Sequence, residues 1–366
     1  PGMANPSPSE SLEASLAKHP ATQAAQTRLQ TRSRPPFLAV AALHALGITL
    51  FVSGFLLSRT QLHSKATCAD SQTGLSGDAA ACSAQYLGPQ ECANGRHRAF
   101  PEFRTVVLLI VDAIRFDFAP EFPSVARSLS QHPSRSRLFQ FVADAPTTTM
   151  QRLVGLTTGG LPTIVDMGKS FDAGIDVQED NWVVQGGKSG VRMSVVGDDT
   201  WVSLYPEQRW ARAAPYPSLN VKDIDGCDDH VVKLLPEELQ AASDLPPGRS
   251  SLVIGHFLGV DHIGHRFGIN HGQMRRKVGD MDRVLNKTIA WAEKETARGG
   301  GGVMVVMFGD HGQTVSGDHG GATAEEAESF LFAHATVPLV SPGWGDGTGQ
   351  TTPLRHFPWE RRAEEE

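Results

Sequence analysis

The sequence predicts an α/β fold, a mostly parallel sheet sandwiched by helices, preceded by one N-terminal transmembrane helix. Three observations lead there. Short apolar runs rich in β-branched residues recur along the chain, and four of them stop at an aspartate: TVVLLIVD at Asp112, VRMSVVGD at Asp198, SLVIGHFLGVD at Asp261 and GVMVVMFGD at Asp310. Between the last two, Met274, Val278, Met281, Leu285 and Ile289 fall at helical spacing, so a helix links those strands. Strands joined through helices pair in parallel and are covered on both faces. Finally, Phe37 to Leu57 is a stretch of 21 residues without Asp, Glu, Lys or Arg, long enough to cross the ~30 Å hydrocarbon core as a helix.

The elements follow in order. Residues 1–36, rich in Ala, Ser, Thr, Gln and Pro, hold too few large apolar side chains to offset the entropy of folding and read as a disordered tail. Residues 37–57 exceed the ~7 to 15 of a signal-peptide core and lack a small-residue cleavage site, so they read as an uncleaved anchor. Arg32 and Arg34 before the stretch and Arg59 and Lys65 after it leave its orientation near a tie by charge. Residues 58–103 form a Gly, Ala and Ser-rich linker with Cys68, Cys82 and Cys92. Together with Cys227 downstream they fit an oxidising lumen and at least one disulfide, with three complete pairings open. A lumenal domain is expected over 104–335 and an irregular tail over 336–366. Asn286-Lys287-Thr288 is a formal glycosylation sequon inside an expected helix.

Composition excludes some partners. At 366 residues with 40% hydrophobic and 20% charged, the chain can bury one large core. Its formal charge of −7, from 33 Lys+Arg and 40 Asp+Glu, is spread along the sequence without a basic block that would track a phosphate backbone, so nucleic acid is not an expected partner.

In parallel α/β sheets ligands bind beyond the carboxyl ends of the strands, which gathers the four aspartates along one rim. Acids gathered there repel each other unless a cation sits among them, and nearby histidines make that cation a transition metal. Asp261 and His265 form a D-x-x-x-H pair, Asp310 and His311 are adjacent, and His319 lies eight residues on. Oxygen and imidazole ligands without thiolate suit zinc, with manganese as the alternative; magnesium alone would leave the histidines unexplained. Taken singly, a strand-end Asp is more often a helix cap, and an isolated His a hydrogen-bonded core or surface residue. Asp112, Asp261, His265, Asp310, His311 and His319 earn a metal reading by coinciding. His256, His262 and His271 keep the structural one.

DAPTTTMQRLVGLTTGGLPT, Asp144 to Thr163, supplies something for a metal to act with: three threonines after a proline, then Arg152, then a helical stretch closed by Gly159 and Gly160. A hydroxyl at a helix N-terminus points toward dipole density and free amides where an anion rests. A metal can make such a hydroxyl an alkoxide near neutral pH. Arg152, one turn on, is placed to hold a phosphate oxygen. The plain alternatives are a threonine N-cap and a surface arginine.

Strand-end Asp112, PTTTM, GVDHIGH, GDHG and the later His319 follow in the order of the alkaline phosphatase superfamily, whose two-metal sites cleave phosphate and sulfate esters. More narrowly, IRFDF, PTTTMQRL, LTTGGLPT, GDDTW, HFLGVDHIGH and GDHGG resemble the glycosylphosphatidylinositol (GPI) ethanolamine phosphate transferases, and among them the third-mannose enzymes, over roughly residues 37–335. The resemblance implies an alkaline-phosphatase-like fold with two divalent metals. One would be held by Asp261, His265 and His319, the other by Asp112, Asp310 and His311 with the nucleophile. Spacing to Thr158 and Gly159 best matches the family when Thr149 is that nucleophile, with Thr147 and Thr148 as remaining candidates; Asp318 falls outside both ligand sets. It also implies transfer of phosphoethanolamine from phosphatidylethanolamine to a mannose of the GPI glycolipid at the endoplasmic reticulum membrane, with the catalytic domain lumenal and a small membrane-protein partner subunit. Hydrolysis by water, or an inactive metal-binding ectodomain, are the alternatives. Two departures stand out. Gln313 occupies a position where relatives commonly carry methionine, and beyond residue 335 neither the family's continuation nor a second membrane segment follows, so a truncated or aberrant product is expected.

Overall fold

A computed structural model describes residues 37–53, 103–161 and 177–339. Residues 37–53 form a helix exposed along its length. Among the described residues no helix is long and apolar enough to cross a membrane. Of the spanning helix expected over 37–57, residues 37–53 are helical, and residues 54–57 lie outside the described residues, as do the tail 1–36, Cys68, Cys82, Cys92 and residues 340–366.

Among the described residues of the second unit, seven strands form one sheet: β1 (Phe103–Val111), β2 (Ser136–Val142), β3 (Arg192–Asp198), β4 (Arg212–Tyr216), β5 (Ser251–Phe257), β6 (Gly302–Phe308) and β7 (Glu328–Ala335). The helices are α1 (Pro123–Gln131), α2 (Thr149–Thr158), α3 (Trp182–Lys188), α4 (Thr200–Leu204), α5 (Gly226–Ser243), α6 (Gly259–Phe267), α7 (Gly272–Ala297) and α8 (Ala324–Ala327). The strand order is β2-β7-β6-β1-β5-β3-β4. Every pairing from β6 through β4 is parallel, and β7 alone runs against its neighbours β6 and β2. The mostly parallel sheet read from the sequence is borne out, with a mixed edge.

The alternation of β1 explains its central place. Val107, Leu109 and Val111 face one core, with Val231, Leu235 and Leu239 of α5 and Met274, Val278, Met281 and Leu285 of α7. Ile110 faces the other, with Leu153 of α2, Val183 of α3 and Trp201 and Leu204 of α4. Helices thus cover both faces, and each fully buried Val, Leu or Ile on β1 contributes roughly 1.5–3 kcal/mol, so one charge at Val107 or Leu109 would break the element. The reversal of β7 matters for the site. An antiparallel neighbour is reached without crossing the sheet, so the whole 309–327 loop stays on the rim where β1, β3, β5 and β6 end.

Candidate metal centre

All four strand-end aspartates reach this rim. Asp112 follows β1, and its backbone N–H still bonds to the Phe257 carbonyl at 2.9 Å, so the carboxylate starts from a held position. The next residue, Ala113, has φ +58°, a left-handed conformation that costs a non-glycine residue on the order of 1 kcal/mol or more. Asp310 Oδ1 accepts from Ala113 N–H at 3.3 Å, and Gln313 Nε2 donates to its carbonyl at 2.9 Å. The strained turn is thereby tied to the loop that carries the second carboxylate.

Two triads form. In the buried one, His311 Nε2 lies 3.3 Å from Asp112 Oδ1 and 3.5 Å from Asp310 Oδ2. In the other, Asp261 and His265 stand one turn apart on α6, so both face the same way. Asp261 Oδ1 is 3.3 Å from Nε2 of both His265 and His319, whose Nε2 atoms approach to 3.0 Å. The His311 and His319 rings stack with centroids 4.3 Å apart, joining the halves.

These residues fit divalent cations. Asp112 Oδ1, Asp261 Oδ1, Asp310 Oδ2 and His311 Nε2 are buried without a hydrogen-bond partner, which is costly unless something else meets them. The hydrogen-bond network also sets the imidazoles: His311 Nδ1–H donates to Gly312 O at 2.8 Å and His319 Nδ1–H to Thr147 O at 2.9 Å, so Nε2 is the ring atom each turns to the carboxylates. Burial, then the neighbouring Asp310, Asp261 and Asp198, push the Asp112 carboxyl well above its usual range. Burial likewise lowers His311. Burial opposes the charged form of Asp261, but His319, His265 and His311 outweigh it and hold that carboxyl below its ordinary value. His319 rises to about 8 because contact with Asp261 overcomes its own burial.

The threonines separate cleanly. Thr147 Oγ1 donates to Gly321 O and accepts from Gly320 N–H, Thr148 Oγ1 donates to Gln151, and Thr149 Oγ1 donates to Asp112 Oδ2 at 3.1 Å. Of the triplet, only Thr149 has its hydroxyl on the carboxylate cluster. Arg152 is 4% exposed, with Nε donating to Asp310 O at 3.1 Å and Nη1 to Asp144 O at 3.3 Å, so it braces the Asp310 loop from behind. Asp318 is exposed and accepts from Ser316, and it belongs to neither triad. His262 sits between the carbonyls of Asp223 and Ser218, and His271 caps α7, as structural histidines do. Cys227 is a buried free thiol. Thr288 of the sequon is buried and bonds back to Val284 O.

Some supports gave no motif signal. The first amides of α6 are capped from another helix: Asp228 Oδ1 accepts from Leu258 and Gly259 N–H at 3.1 and 3.0 Å, while the buried Lys277 ammonium lies 2.8 Å from Asp228 Oδ2. Gly259 is required there, since a Cβ would stand 2.2 Å from that Oδ2. Gln313 fills the space between the halves, its Oε1 1.7 Å from where a Cβ on Gly264 would be. Asp198 and His256 complete a third grouping with Asp112. An in-register capping pair or a buried amide leaves no local pattern to read.

The family model described as type I phosphodiesterase / nucleotide pyrophosphatase matches residues 106–330. The chain belongs to that family. The catalytic subunit of GPI ethanolamine phosphate transferase 3 from Homo sapiens is 36% identical over 334 residues, covering 84% of this chain and 28% of that protein. GPI ethanolamine phosphate transferase 3 from Saccharomyces cerevisiae is 34% identical over 315 residues, covering 82% and 27%. The motif resemblance is borne out by these matches, and the chain spans less than a third of the length of either relative. Among solved structures, the integral membrane lipooligosaccharide phosphoethanolamine transferase A from Neisseria meningitidis aligns with a TM-score of 0.44 at 14% identity, over 66% of this chain and 49% of that one.

Proposed function

We propose that this chain carries the catalytic unit of a phosphoethanolamine transferase, moving phosphoethanolamine from phosphatidylethanolamine to a mannose hydroxyl, that of the third mannose, on a GPI glycolipid. The observation that carries the reading is the Thr149 hydroxyl, donating at 3.1 Å to Asp112 of the buried carboxylate and imidazole triad. Two divalent cations, zinc or alternatively manganese, held by Asp261, His265 and His319 and by Asp112, Asp310, His311 and Thr149, would neutralise charge on the phosphoryl oxygens and acidify the threonine hydroxyl.

Thr149 Oγ1 gives up its proton and attacks phosphorus; the P–O bond to diacylglycerol breaks and the departing oxygen takes up a proton. Phosphoethanolamine is left on Thr149. The mannose hydroxyl then attacks the same phosphorus, the P–Oγ1 bond breaks, and Thr149 recovers a proton as the acceptor loses one. Arg152 contributes through the Asp310 carbonyl, holding that loop in register with Asp112, in place of the direct phosphate contact expected from its spacing. The setting in this reading is the endoplasmic reticulum membrane, with the unit lumenal, residues 37–57 as anchor, and a small membrane-protein subunit as partner.

Peptide mass spectrometry of the full chain after exposure to phosphatidylethanolamine without acceptor tests this. A phosphoethanolamine adduct on the Met150-containing peptide, absent in Thr149→Ala and discharged by a mannosyl acceptor, is expected. Discharge by water alone replaces transfer with hydrolysis, and no adduct in any form leaves a metal-binding ectodomain. Protease digestion of region 103–335 in intact microsomes would overturn the lumenal placement.

A further inference from the structure

His256, next to last in β5, is completely buried, with Nε2 3.8 Å from Asp112 Oδ2 and Nδ1 3.7 Å from Asp198 Oδ2. By spacing, Asp112, Asp198 and His256 look like a third metal triad. The hydrogen bonds say otherwise. Trp201 Nε1 lies 3.0 Å from His256 Nδ1, and an indole nitrogen can only donate. Nδ1 therefore keeps a lone pair, and the ring proton of the neutral imidazole is on Nε2. A metal on Nε2 would force a proton onto Nδ1, facing the indole N–H, and the indole already fills the approach to Nδ1. Trp201 is itself wedged among Trp182, Tyr205 and Trp210, with ring centroids 6.2, 6.4 and 5.8 Å away, so it cannot swing aside cheaply.

What remains is a buried N–H without a partner, directed at the side of Asp112 that Thr149 uses. Asp112 Oδ2 accepts from the Thr149 hydroxyl while that hydroxyl keeps its proton.

We propose that His256 is a positioning residue for Asp112, its Nε2–H aimed at Oδ2, the oxygen Thr149 uses, and its tautomer fixed by Trp201. A closure of about 1 Å brings Nε2 from 3.8 Å into hydrogen-bond range. The N–H then fixes the orientation of the carboxylate that holds the Thr149 hydroxyl. The proposal rests on Thr149 as the nucleophile, and its tautomer component stands independently of that reading.

Two measurements test it. In the metal-free full chain with 15N-labelled histidine, the His256 resonances should show a protonated Nε2 and a lone-pair Nδ1, and Trp201→Phe should mix the tautomers; a protonated Nδ1 in the unaltered chain overturns the proposal. In the metal-loaded chain, His256→Leu should slow adduct formation on Thr149 by about 10- to 100-fold with both ions retained and KM little changed. His256→Gln, which keeps a side-chain N–H, should recover most of that loss, with circular dichroism confirming that both variants fold. Equal impairment of the two variants, or loss of one ion in either, overturns it. Absence of any adduct on Thr149 in the unaltered chain defeats the nucleophile reading, whereas an adduct forming at the unaltered rate in His256→Leu defeats His256 alone.

Discussion

Asp261, His265 and His319 sit where water reaches them, with side chains 11%, 29% and 14% exposed, while Asp112, Asp310 and His311 are at 2%, 0% and 0%. The same side-chain chemistry therefore meets two environments. In the exposed half the charges compensate, because a depressed Asp261 and a His319 raised to about 8 stabilise each other. In the buried half two carboxylates meet an imidazole whose basicity burial lowers, so little offsets their repulsion, and burial and the neighbouring Asp310 push the Asp112 carboxyl well above its usual range. A paired site can stand without its cation; a frustrated one is built for it.

The largest expected effect comes from removing the nucleophile on the buried side. Thr149→Ala should lower transfer of labelled phosphoethanolamine by about 10³-fold or more, whereas Thr148→Ala should change it less than about tenfold. Equal losses would erase the distinction among the threonines.

Next is the metal itself. A folded sample should hold close to two zinc or manganese ions, with Asp261→Ala and Asp310→Ala each losing one, and a chelator should strip the exposed half first. Simultaneous release of both ions would show that exposure does not divide the site. In the metal-free chain, Asp310→Asn should raise stability by roughly 1–3 kcal/mol because one of two buried like charges disappears, while His265→Ala stays within about 0.5 kcal/mol.

The pH dependence sharpens the contrast further. Asp112 binds its proton more tightly folded than unfolded, so metal-free stability falls as pH rises above its ordinary 3.8 toward the raised value. His319 acts in the same direction over a different window: its contribution is fully present below about 6.5 and lost as pH rises through about 8. Chemical denaturation of the metal-free chain across pH 5–9 should show the upper step, and His319→Gln should remove it. A curve unchanged by that substitution breaks the assignment of charge to the exposed half.

A small effect is also expected between the halves. Gln313→Met deletes the bond to Ala113 O and a buried unpartnered Oε1, two changes that nearly cancel, so unfolding free energy should move by no more than about 1 kcal/mol. A larger loss would make Gln313 the clamp on the strained Ala113 turn.

Much of this architecture is legible in the amino-acid sequence. Apolar runs ending at Asp112, Asp198, Asp261 and Asp310 determine the parallel sheet and the rim, because β-branched strands and 3.6-residue periodicity are properties of consecutive residues. The D-x-x-x-H spacing puts Asp261 and His265 on one face for the same local reason. What the sequence leaves open depends on which distant groups meet. Three adjacent threonines are chemically alike until Gly321, Gln151 and Asp112 each claim one. Arg152 near an acidic rim suits a phosphate equally well until the Asp310 carbonyl is found against its Nε. His256 reads like any core histidine because its meaning lies in a tautomer, and the indole that decides it is 55 residues away in sequence. Periodicity is written in neighbouring residues, whereas the direction of a hydrogen bond exists only once the chain has closed on itself.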